Sequence, residues 1–329
     1  MAAATTPVLN ASPATGLHSF VRRLRSGDEI AHLVTLCVAS AVIVITSLIV
    51  YELWLNSSLT RHKFGWHFLF TRVWDPIAEQ FGALPFIYGT IVTATVALLI
   101  AVPLGIGAAI FLAELAPPTL SDGLTFVIDL LAAVPSVIYG LLGIFILVPL
   151  LRQYVEPFLM GALGFLPLFR GPAYGVGFLA AGVILAVMVI PFIISVSREV
   201  LLSVPRDQRE AALALGATRW ETTWKVVVPF ARTGILGSIF LALARALGET
   251  MAVTMVIGNT PHVSASLLAS GYTIAAVIAN EFSEATSNMH LNALMELALV
   301  LFLLTFTLNG LARIMIVLTS QRGSGTGDA

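Results

Sequence analysis

Charged side chains are scarce in this sequence of 329 residues, since only 11% are Asp, Glu, Lys or Arg. A soluble domain of this length usually carries about 25% charged residues. With so few, it would lack the polar surface that keeps a protein in solution, whereas a lipid-facing surface has no such need. Hydrophobic residues make up 58% of the chain, and the mean hydropathy is +0.95. The composition therefore predicts an integral membrane protein.

Cysteine is also nearly absent, because Cys37 is the only one. A single cysteine cannot form an internal disulfide or a thiolate metal site, so redox chemistry is not expected. The histidines are scattered without cysteine or carboxylate partners at metal-ligand spacing, so no metal site is predicted. The net charge of −1 gives no basic bias of the kind that nucleic-acid-binding proteins show.

Motifs of nucleotide hydrolysis and of hydrolytic enzymes are missing as well. The sequence contains no G-x-x-x-x-G-K-[ST] phosphate loop, no nucleophile elbow and no H-E-x-x-H. We therefore predict a non-catalytic chain that needs no cofactor of its own. Any work driven by ATP would depend on a partner chain that hydrolyses the nucleotide.

What the sequence does contain is a series of long apolar runs. About 20 predominantly apolar residues are needed to span the hydrocarbon core of a bilayer. Six runs are long enough, over residues 30–55, 86–112, 124–151, 174–197, 233–257 and 291–318. We therefore predict an all-α membrane protein with six transmembrane helices.

The distribution of lysine and arginine predicts the orientation. With the N-terminus in the cytoplasm, eleven of these residues lie in cytoplasmic segments and five in outer segments. Cytoplasmic loops are the ones enriched in these residues, so both termini are predicted to be cytoplasmic. Residues 264–280 are moderately apolar but are broken by Gly271, and a seventh span would place the C-terminal arginines outside. We predict a re-entrant or interfacial helix there, before the last span.

The predicted domain organisation follows from these segments. Residues 1–28 are rich in Ala, Thr, Pro and Ser and are predicted to form a disordered cytoplasmic tail. Residues 29–81 hold the first span and an outer loop. Residues 82–318 form the main transmembrane domain, with a cytoplasmic loop over 204–229, and residues 319–329 form a second cytoplasmic tail.

The most informative segment is the cytoplasmic loop between the fourth and fifth runs. It reads Glu210-Ala211-Ala212, three residues, Gly216, nine residues, and then Val226-Val227-Val228-Pro229. This pattern predicts a short helix, a turn at Gly216 that permits positive φ, and a second short helix, and Pro229 fits the start of the next helical segment. Three apolar residues would give the loop anchors that a merely solvated loop does not need. These are Leu213, Leu215 and Trp220.

This loop resembles the EAA motif of the permease subunits of bacterial ABC importers. The family pattern is EAA, three residues, G, nine residues and I-x-L-P, and here Val226 and Val228 stand in place of Ile and Leu. The resemblance implies a type I ABC importer permease fold in the bacterial cytoplasmic, or inner, membrane. It also implies that the loop is a coupling element that docks in a cleft of an ATPase subunit.

Three further segments resemble the PstC-type permeases of phosphate ABC importers. They are G-A-L-P-F-I-Y-G-T at residues 82–90, V-P-S-V-I-Y-G at 134–140 and R-A-L-G-E-T-M-A-V at 245–253. The resemblance implies four kinds of partner: a PstA-type permease subunit, two ATPase subunits that use ATP, an extracytoplasmic phosphate-binding protein, and phosphate itself.

The prediction of a substrate pathway depends on two charged residues inside the fifth run. Arg245 and Glu249 are spaced so that they would share one face of a continuous helix. A charge at the bilayer centre costs at least ~2.5–3.5 kcal/mol, so such residues commonly line pathways. An arginine donates to an oxyanion through a planar fork. We therefore predict that Arg245 faces the pathway and that Glu249 restrains it, the alternative being a structural ion pair.

Thr250 and Thr254 are predicted to extend the same pathway face, with ordinary hydroxyl-to-backbone bonds as the alternative. Two further functions remain open at this stage. The coupling loop does not distinguish phosphate from another oxyanion such as molybdate or sulfate. An intramembrane enzyme or sensor would need paired catalytic residues at one depth, and Glu249 with Glu296 is the one candidate pair, which lacks a nucleophile.

Overall fold

The computed structural model describes residues 28–324, with side chains from residue 31 to residue 316. The tail predicted for residues 1–28 lies almost entirely outside the described residues. The chain divides into two compact units, Met1–Leu55 and Asn56–Ala329. The described part of the first unit is a single helix, Asp28–Asn56, whose apolar stretch Ala31–Asn56 is long enough to span a bilayer.

The second unit contains five more segments that are long and apolar enough to cross a membrane. In chain order, the second to sixth spans are Leu84–Leu115, Ser136–Leu163, Phe178–Leu202, Arg219–Leu247 and Asn288–Ile316. Together with the helix of the first unit they confirm the predicted number of six within the described residues. The last helix runs from Asn288 to Ser324 and so continues into the stretch predicted as a tail.

Shorter elements connect the spans or interrupt them. The connecting helices are Ser58–Phe64, His67–Phe70, Pro118–Ala132, Arg206–Ala214, Met251–Val256 and Ile274–Glu281, with a 3₁₀ turn at Pro167–Phe169. π-Helical turns occur at Phe111–Leu115, Gly143–Leu147, Leu151–Val155 and Thr223–Val227. Within the described residues the only β pairing is an isolated bridge between Asp75 and Gln80.

The third span differs from the predicted run over 124–151. The helix Pro118–Ala132 ends first, and a new helix begins at Ser136. Pro135 causes the break, because a proline disfavours helical geometry in the residue before it and cannot donate a backbone hydrogen bond. Its own backbone is extended, with φ −58° and ψ 139°. One apolar run therefore corresponds to two separate helices, and the span continues to Leu163.

The second and fourth spans form the centre of the core. Small residues line their contact, among them Ala97, Ala101 and Ala181, which are fully buried. A Cβ atom built on Gly182 would lie 2.4 Å from Val96 Cγ1, and one on Gly105 would lie 2.7 Å from Ile193 Cγ2. Membrane helices that pack through small residues bring their backbones close together. This pair of helices is the scaffold against which the fifth span packs.

The segment between the fifth and sixth spans was predicted to be a re-entrant or interfacial helix over 264–280. It is not among the helices that could span a membrane, but only Ile274–Glu281 is helical. The preceding part is extended and receives backbone donors from the start of the fourth span. Phe178 N donates to Ala269 O at 3.1 Å, and Leu179 N donates to Leu267 O at 2.8 Å. The loop thus satisfies N–H groups that a helix start leaves unpaired.

The two ends of the second unit therefore differ in construction. One end carries the helix Arg206–Ala214 together with the last residues of the second and fourth spans. The other end carries the starts of those spans and the extended segment before Ile274. There, burial raises the pKa of Tyr272 to about 12, so its hydroxyl stays protonated and accepts a bond from Asn280 Nδ2 at 3.0 Å.

Candidate functional site

Arg245 lies in the last turn of the helix Val228–Leu247, and its side chain is exposed. The guanidinium carbon is 5.9 Å from the centre of the Phe192 ring. Phe192 lies in the middle of the fourth span, so the cation lies at mid-depth of the bundle. A cation over an aromatic face gains a modest electrostatic attraction, but this does not replace its hydration. An exposed arginine at this depth is suited to a polar surface and not to lipid.

Glu249 does not share a helix face with Arg245, and this part of the prediction is wrong. The helix ends at Leu247, and Gly248, Glu249 and Thr250 lie between it and the short helix Met251–Val256. Gly248 weakens the helix because glycine loses the most backbone entropy on becoming helical. The predicted fifth run over 233–257 is therefore two helices joined by a break.

The side chain of Glu249 caps the short helix that follows the break. Its Oε1 accepts a hydrogen bond from Ala252 N at 3.2 Å. Among the described residues, no ion pair within 4 Å joins Glu249 to Arg245. A carboxylate at the start of a helix is stabilised by the unpaired N–H groups there. Glu249 consequently does not restrain Arg245 in this conformation, and its role in a pathway stays a prediction.

Thr250 and Thr254 both make local bonds to the backbone. Thr250 Oγ1 donates to Gly248 O at 3.3 Å, and Thr254 Oγ1 donates to Thr250 O at 2.8 Å. These are the ordinary bonds weighed as the alternative to ligand contact. Each hydroxyl can still accept a hydrogen bond, but its hydrogen is already donated to a backbone carbonyl. Neither threonine can therefore donate to an anion in this conformation.

Two aromatic residues near Arg245 were not singled out from the sequence. They are Phe192, whose ring faces the guanidinium, and Tyr139, which belongs to the buried cluster against which Phe192 packs. The Tyr139 hydroxyl donates to Leu131 O at 2.7 Å. Both are aromatic residues in apolar runs, so composition does not separate them from ordinary core residues. The V-P-S-V-I-Y-G segment that contains Tyr139 was the one available signal.

A groove near Arg245 is unsuited to an anion. It has a volume of about 630 Å³ and lies between the second, fifth and sixth spans. Its lining is apolar and includes Pro103, Leu243 and Leu308. An anion placed there would lose its hydration without gaining hydrogen-bond donors. The chemistry that could hold an oxyanion is therefore at Arg245 itself.

The first part of the loop with the EAA spacing has the local structure that the sequence predicts. Glu210, Ala211 and Ala212 lie in the helix Arg206–Ala214, and Gly216 follows with φ +87°. A Cβ at Gly216 would meet no atom within 4 Å. Glycine is thus required there by the backbone conformation and not by close packing. The prediction that Pro229 begins a helical segment is wrong, because the chain is already helical from Arg219 and Pro229 lies inside the continuous fifth span, just after the π-helical turn Thr223–Val227.

A capping box opens the second part of the loop. Thr218 Oγ1 accepts from Glu221 N at 3.2 Å, and Glu221 Oε2 accepts from Thr218 N at 3.0 Å. This reciprocal pair satisfies donors that the helix start would otherwise leave unpaired. The helix Arg219–Thr222 then continues through the π-helical turn Thr223–Val227 into the fifth span.

The apolar residues of this loop are exposed. Leu215 is 90% exposed, Trp220 57% and Leu213 45%. The Trp220 ring packs edge-on against Trp224, with ring centres 5.6 Å apart. No residue of the helix Arg206–Ala214 is buried. Exposed apolar residues grouped on one structured loop mark a surface for protein contact.

Metal binding finds no support in the part of the chain that the structure describes. There, no group of three or more His, Cys, Asp or Glu side chains could hold a metal ion. The polar centre at Arg245 and the exposed loop at residues 204–229 are therefore the two candidate functional regions.

Comparison with known proteins assigns the chain to a family. The family model described as "Binding-protein-dependent transport system inner membrane component" matches residues 101–322. The phosphate transport system permease protein PstC of Mesorhizobium japonicum is 45% identical over 306 residues, which cover 92% of this chain and 94% of that protein. The protein of the same name from Xylella fastidiosa is 47% identical over 294 residues, covering 88% of this chain and 90% of its own.

Solved structures with the same fold include two ABC transporters. A bacterial ABC transporter involved in the import of the acidic polysaccharide alginate aligns with a TM-score of 0.57 at 15% identity, covering 89% of this chain and 98% of that chain. The inward-facing MetNI methionine ABC transporter aligns with a TM-score of 0.53 at 16% identity, covering 75% and 99%. At these identities the likeness concerns the fold alone. The family match and the PstC relatives together show that this chain is a multi-pass, non-catalytic membrane protein that belongs to the binding-protein-dependent transport system inner membrane components, within the group of PstC permeases.

Proposed function

We propose that this chain is the permease subunit of an ATP-driven phosphate importer and forms one half of the translocation pathway. The observation that carries the proposal is the exposed guanidinium of Arg245 at mid-depth of the bundle. An arginine facing lipid at this depth would be costly, so a second protein surface or water is expected to cover it. The PstC relatives bear the phosphate transport name, which supports phosphate as the anion.

Phosphate carries one to two negative charges at neutral pH, and its dehydrated oxygens need strong donors. A guanidinium supplies several N–H groups in one plane, which match the oxygens of a phosphate. Because Glu249 does not pair with Arg245 here, the guanidinium is available to the anion. The hydroxyls of Thr250 and Thr254 would have to turn from their backbone acceptors before they could donate.

The exposed loop is proposed to couple the pathway to ATP hydrolysis in partner chains. Leu213, Leu215 and Trp220 would enter a cleft of an ATPase subunit, and the turn at Gly216 would set the angle between the two helical parts. This chain would bind no nucleotide itself. The complex would also contain a PstA-type permease subunit, a second ATPase subunit and an extracytoplasmic phosphate-binding protein.

Uptake of radiolabelled phosphate at low micromolar concentration tests the proposal. Cells that lack the gene would be complemented with the wild type, with Arg245→Ala or with Arg245→Lys. Loss of a charge-assisted hydrogen bond is worth about 1.5–3 kcal/mol, so we expect Arg245→Ala to lower uptake by about 10- to 150-fold. Arg245→Lys should retain part of the uptake, because it keeps the charge but loses the planar fork.

Arg313→Ala is the matched control, because Arg313 is an exposed arginine near the end of the sixth span and is expected to leave uptake unchanged. Protein levels in the membrane would be measured for every variant. Normal phosphate uptake in the deletion strain, without a duplicate system, would refute the phosphate assignment. Uptake of labelled sulfate or molybdate in the same strains would then identify another oxyanion.

A further inference from the structure

One arginine of the exposed loop forms an ion pair with the second span. Arg209, on the helix Arg206–Ala214, donates from Nη2 to Glu114 Oε1 at 2.8 Å and from Nε to Glu114 Oε2 at 3.4 Å. Both oxygens of the carboxylate are therefore engaged. The pair is mostly shielded from solvent, with side-chain exposures of 19% for Arg209 and 11% for Glu114. Paired charges in such a setting are held more firmly than exposed ones.

The same guanidinium also holds the end of the fourth span. It donates from Nη2 to Leu201 O at 2.7 Å and from Nη1 to Val204 O. Leu201 lies in the last turn of the fourth span, where carbonyls have no partner within the helix, and Val204 lies in the connection directly after the span, so both carbonyls can accept from a cation. A lysine could not reproduce this arrangement, because it lacks the planar set of donors that reaches two carbonyls and two carboxylate oxygens together.

These bonds are the polar link between the loop helix and the two central spans. No side chain of Arg206–Ala214 is buried, so apolar packing attaches this helix only weakly. Among the described residues, all hydrogen bonds from this helix to the second and fourth spans come from Arg209. If a docked partner displaced this helix, the displacement would therefore be passed to those spans by two connections, the covalent backbone and the hydrogen bonds of Arg209.

We propose that Arg209 and Glu114 are positioning residues that transmit motion of the loop helix to the second and fourth spans together. Glu114 lies in the π-helical turn Phe111–Leu115 that ends the second span. A displacement of its carboxylate would therefore displace the end of that helix. The carbonyl bonds act on the end of the fourth span at the same time. The inference rests on the proposed function, because it assigns a route for coupling within that transport cycle.

The test measures phosphate imported per ATP hydrolysed by the complete complex in proteoliposomes supplied with the binding protein. Glu114→Gln keeps the side-chain shape and the bonds of Arg209 to the carbonyls, but removes the ion pair. We expect basal ATP hydrolysis to persist and the import-to-hydrolysis ratio to fall by about tenfold, the effect of losing one strong charge-assisted bond. A merely structural role would lower the amount of active complex and leave this ratio unchanged.

Further variants test whether Arg209 and Glu114 act through their shared contact. Arg209→Lys should lower the ratio as well, because it cannot hold both spans. The double variant Glu114→Gln with Arg209→Gln should be no worse than Arg209→Gln alone, since residues that act through one contact are not additive. Glu199→Gln is the matched control, because it removes an exposed carboxylate that pairs with Arg198 at the same end of the bundle.

Three outcomes would overturn the inference. The first is an unchanged ratio in Glu114→Gln and Arg209→Lys while the wild type imports phosphate. The second is loss of assembled complex in Glu114→Gln together with a normal ratio in Arg209→Lys, since the pair would then be only a structural anchor. The third is additive loss in the double variant. Absence of any phosphate import by the wild-type complex would instead refute the proposed function, so the two failures are distinguishable.

Discussion

The contact between Gly182 and Val96 allows a quantitative test of how the second and fourth spans pack. An alanine Cβ at position 182 would lie 2.4 Å from Val96 Cγ1 and 2.6 Å from Val96 Cβ. Rotation of the valine would not remove the clash, because its Cβ is itself too close and β-branched side chains have one preferred rotamer in helices. The two backbones would therefore have to move apart.

The expected cost of Gly182→Ala follows from two opposing effects. Inserting a group into a packed core costs about 1–3 kcal/mol. Replacing glycine by alanine in a helix contributes about 0.5–1 kcal/mol in the opposite direction. Gly107→Ala isolates the second effect, because a Cβ on Gly107 in the second span would meet no atom within 4 Å. The two variants should consequently differ by the steric cost of about 1–3 kcal/mol.

Thermal denaturation of the purified complex measures this difference. For large domains each kcal/mol shifts Tm by about 2–4 °C, so Gly182→Ala should melt roughly 2–12 °C below Gly107→Ala. Equal melting temperatures for the two glycine variants would refute the packing argument.

Two predictions concern the exposed loop. Gly216→Ala places a side chain at φ +87°, which costs about 1–2 kcal/mol, so binding of the ATPase subunits should weaken by up to about 30-fold. Gly216→Asn should weaken it less, since asparagine tolerates that conformation, and equal losses would contradict this explanation. Leu215→Ser should leave Tm unchanged because Leu215 is exposed, yet lower the affinity for the ATPase subunits several-fold. Unchanged affinity, measured by titrating those subunits onto the permease in nanodiscs, would remove Leu215 from the docking surface.

The loop was predictable because its structure depends on residues close together in the chain. Gly216 is separated from Glu210-Ala211-Ala212 by three residues and is compatible with positive φ, which the observed turn has. Turns and caps of this kind involve few residues, so spacing alone predicts them. Pro229, in contrast, lies inside the continuous fifth span, directly after a π-helical turn, so proline spacing alone did not locate the start of that helix.

The ends of the spans were harder to predict, because a hydropathy profile does not show whether one apolar run forms a single helix or two consecutive helices. The run over 124–151 is predominantly apolar, yet Pro135 divides it. The run over 233–257 is broken after Leu247, which places Glu249 at the start of a separate short helix. A prediction based on continuous helical periodicity therefore paired Arg245 with Glu249, whereas the structure joins Glu249 to Ala252.

The sequence by itself determined the class of the protein, the number of membrane-spanning helices and the helix and turn that open the loop over 204–229. These properties depend on composition, on apolar runs of about 20 residues and on glycine and proline geometry, all of which act over short stretches of chain. Only the tertiary structure decided which side chains meet. The ion pair of Arg209 with Glu114 joins residues 95 positions apart, and it exists because the second and fourth spans pack through small residues and end side by side.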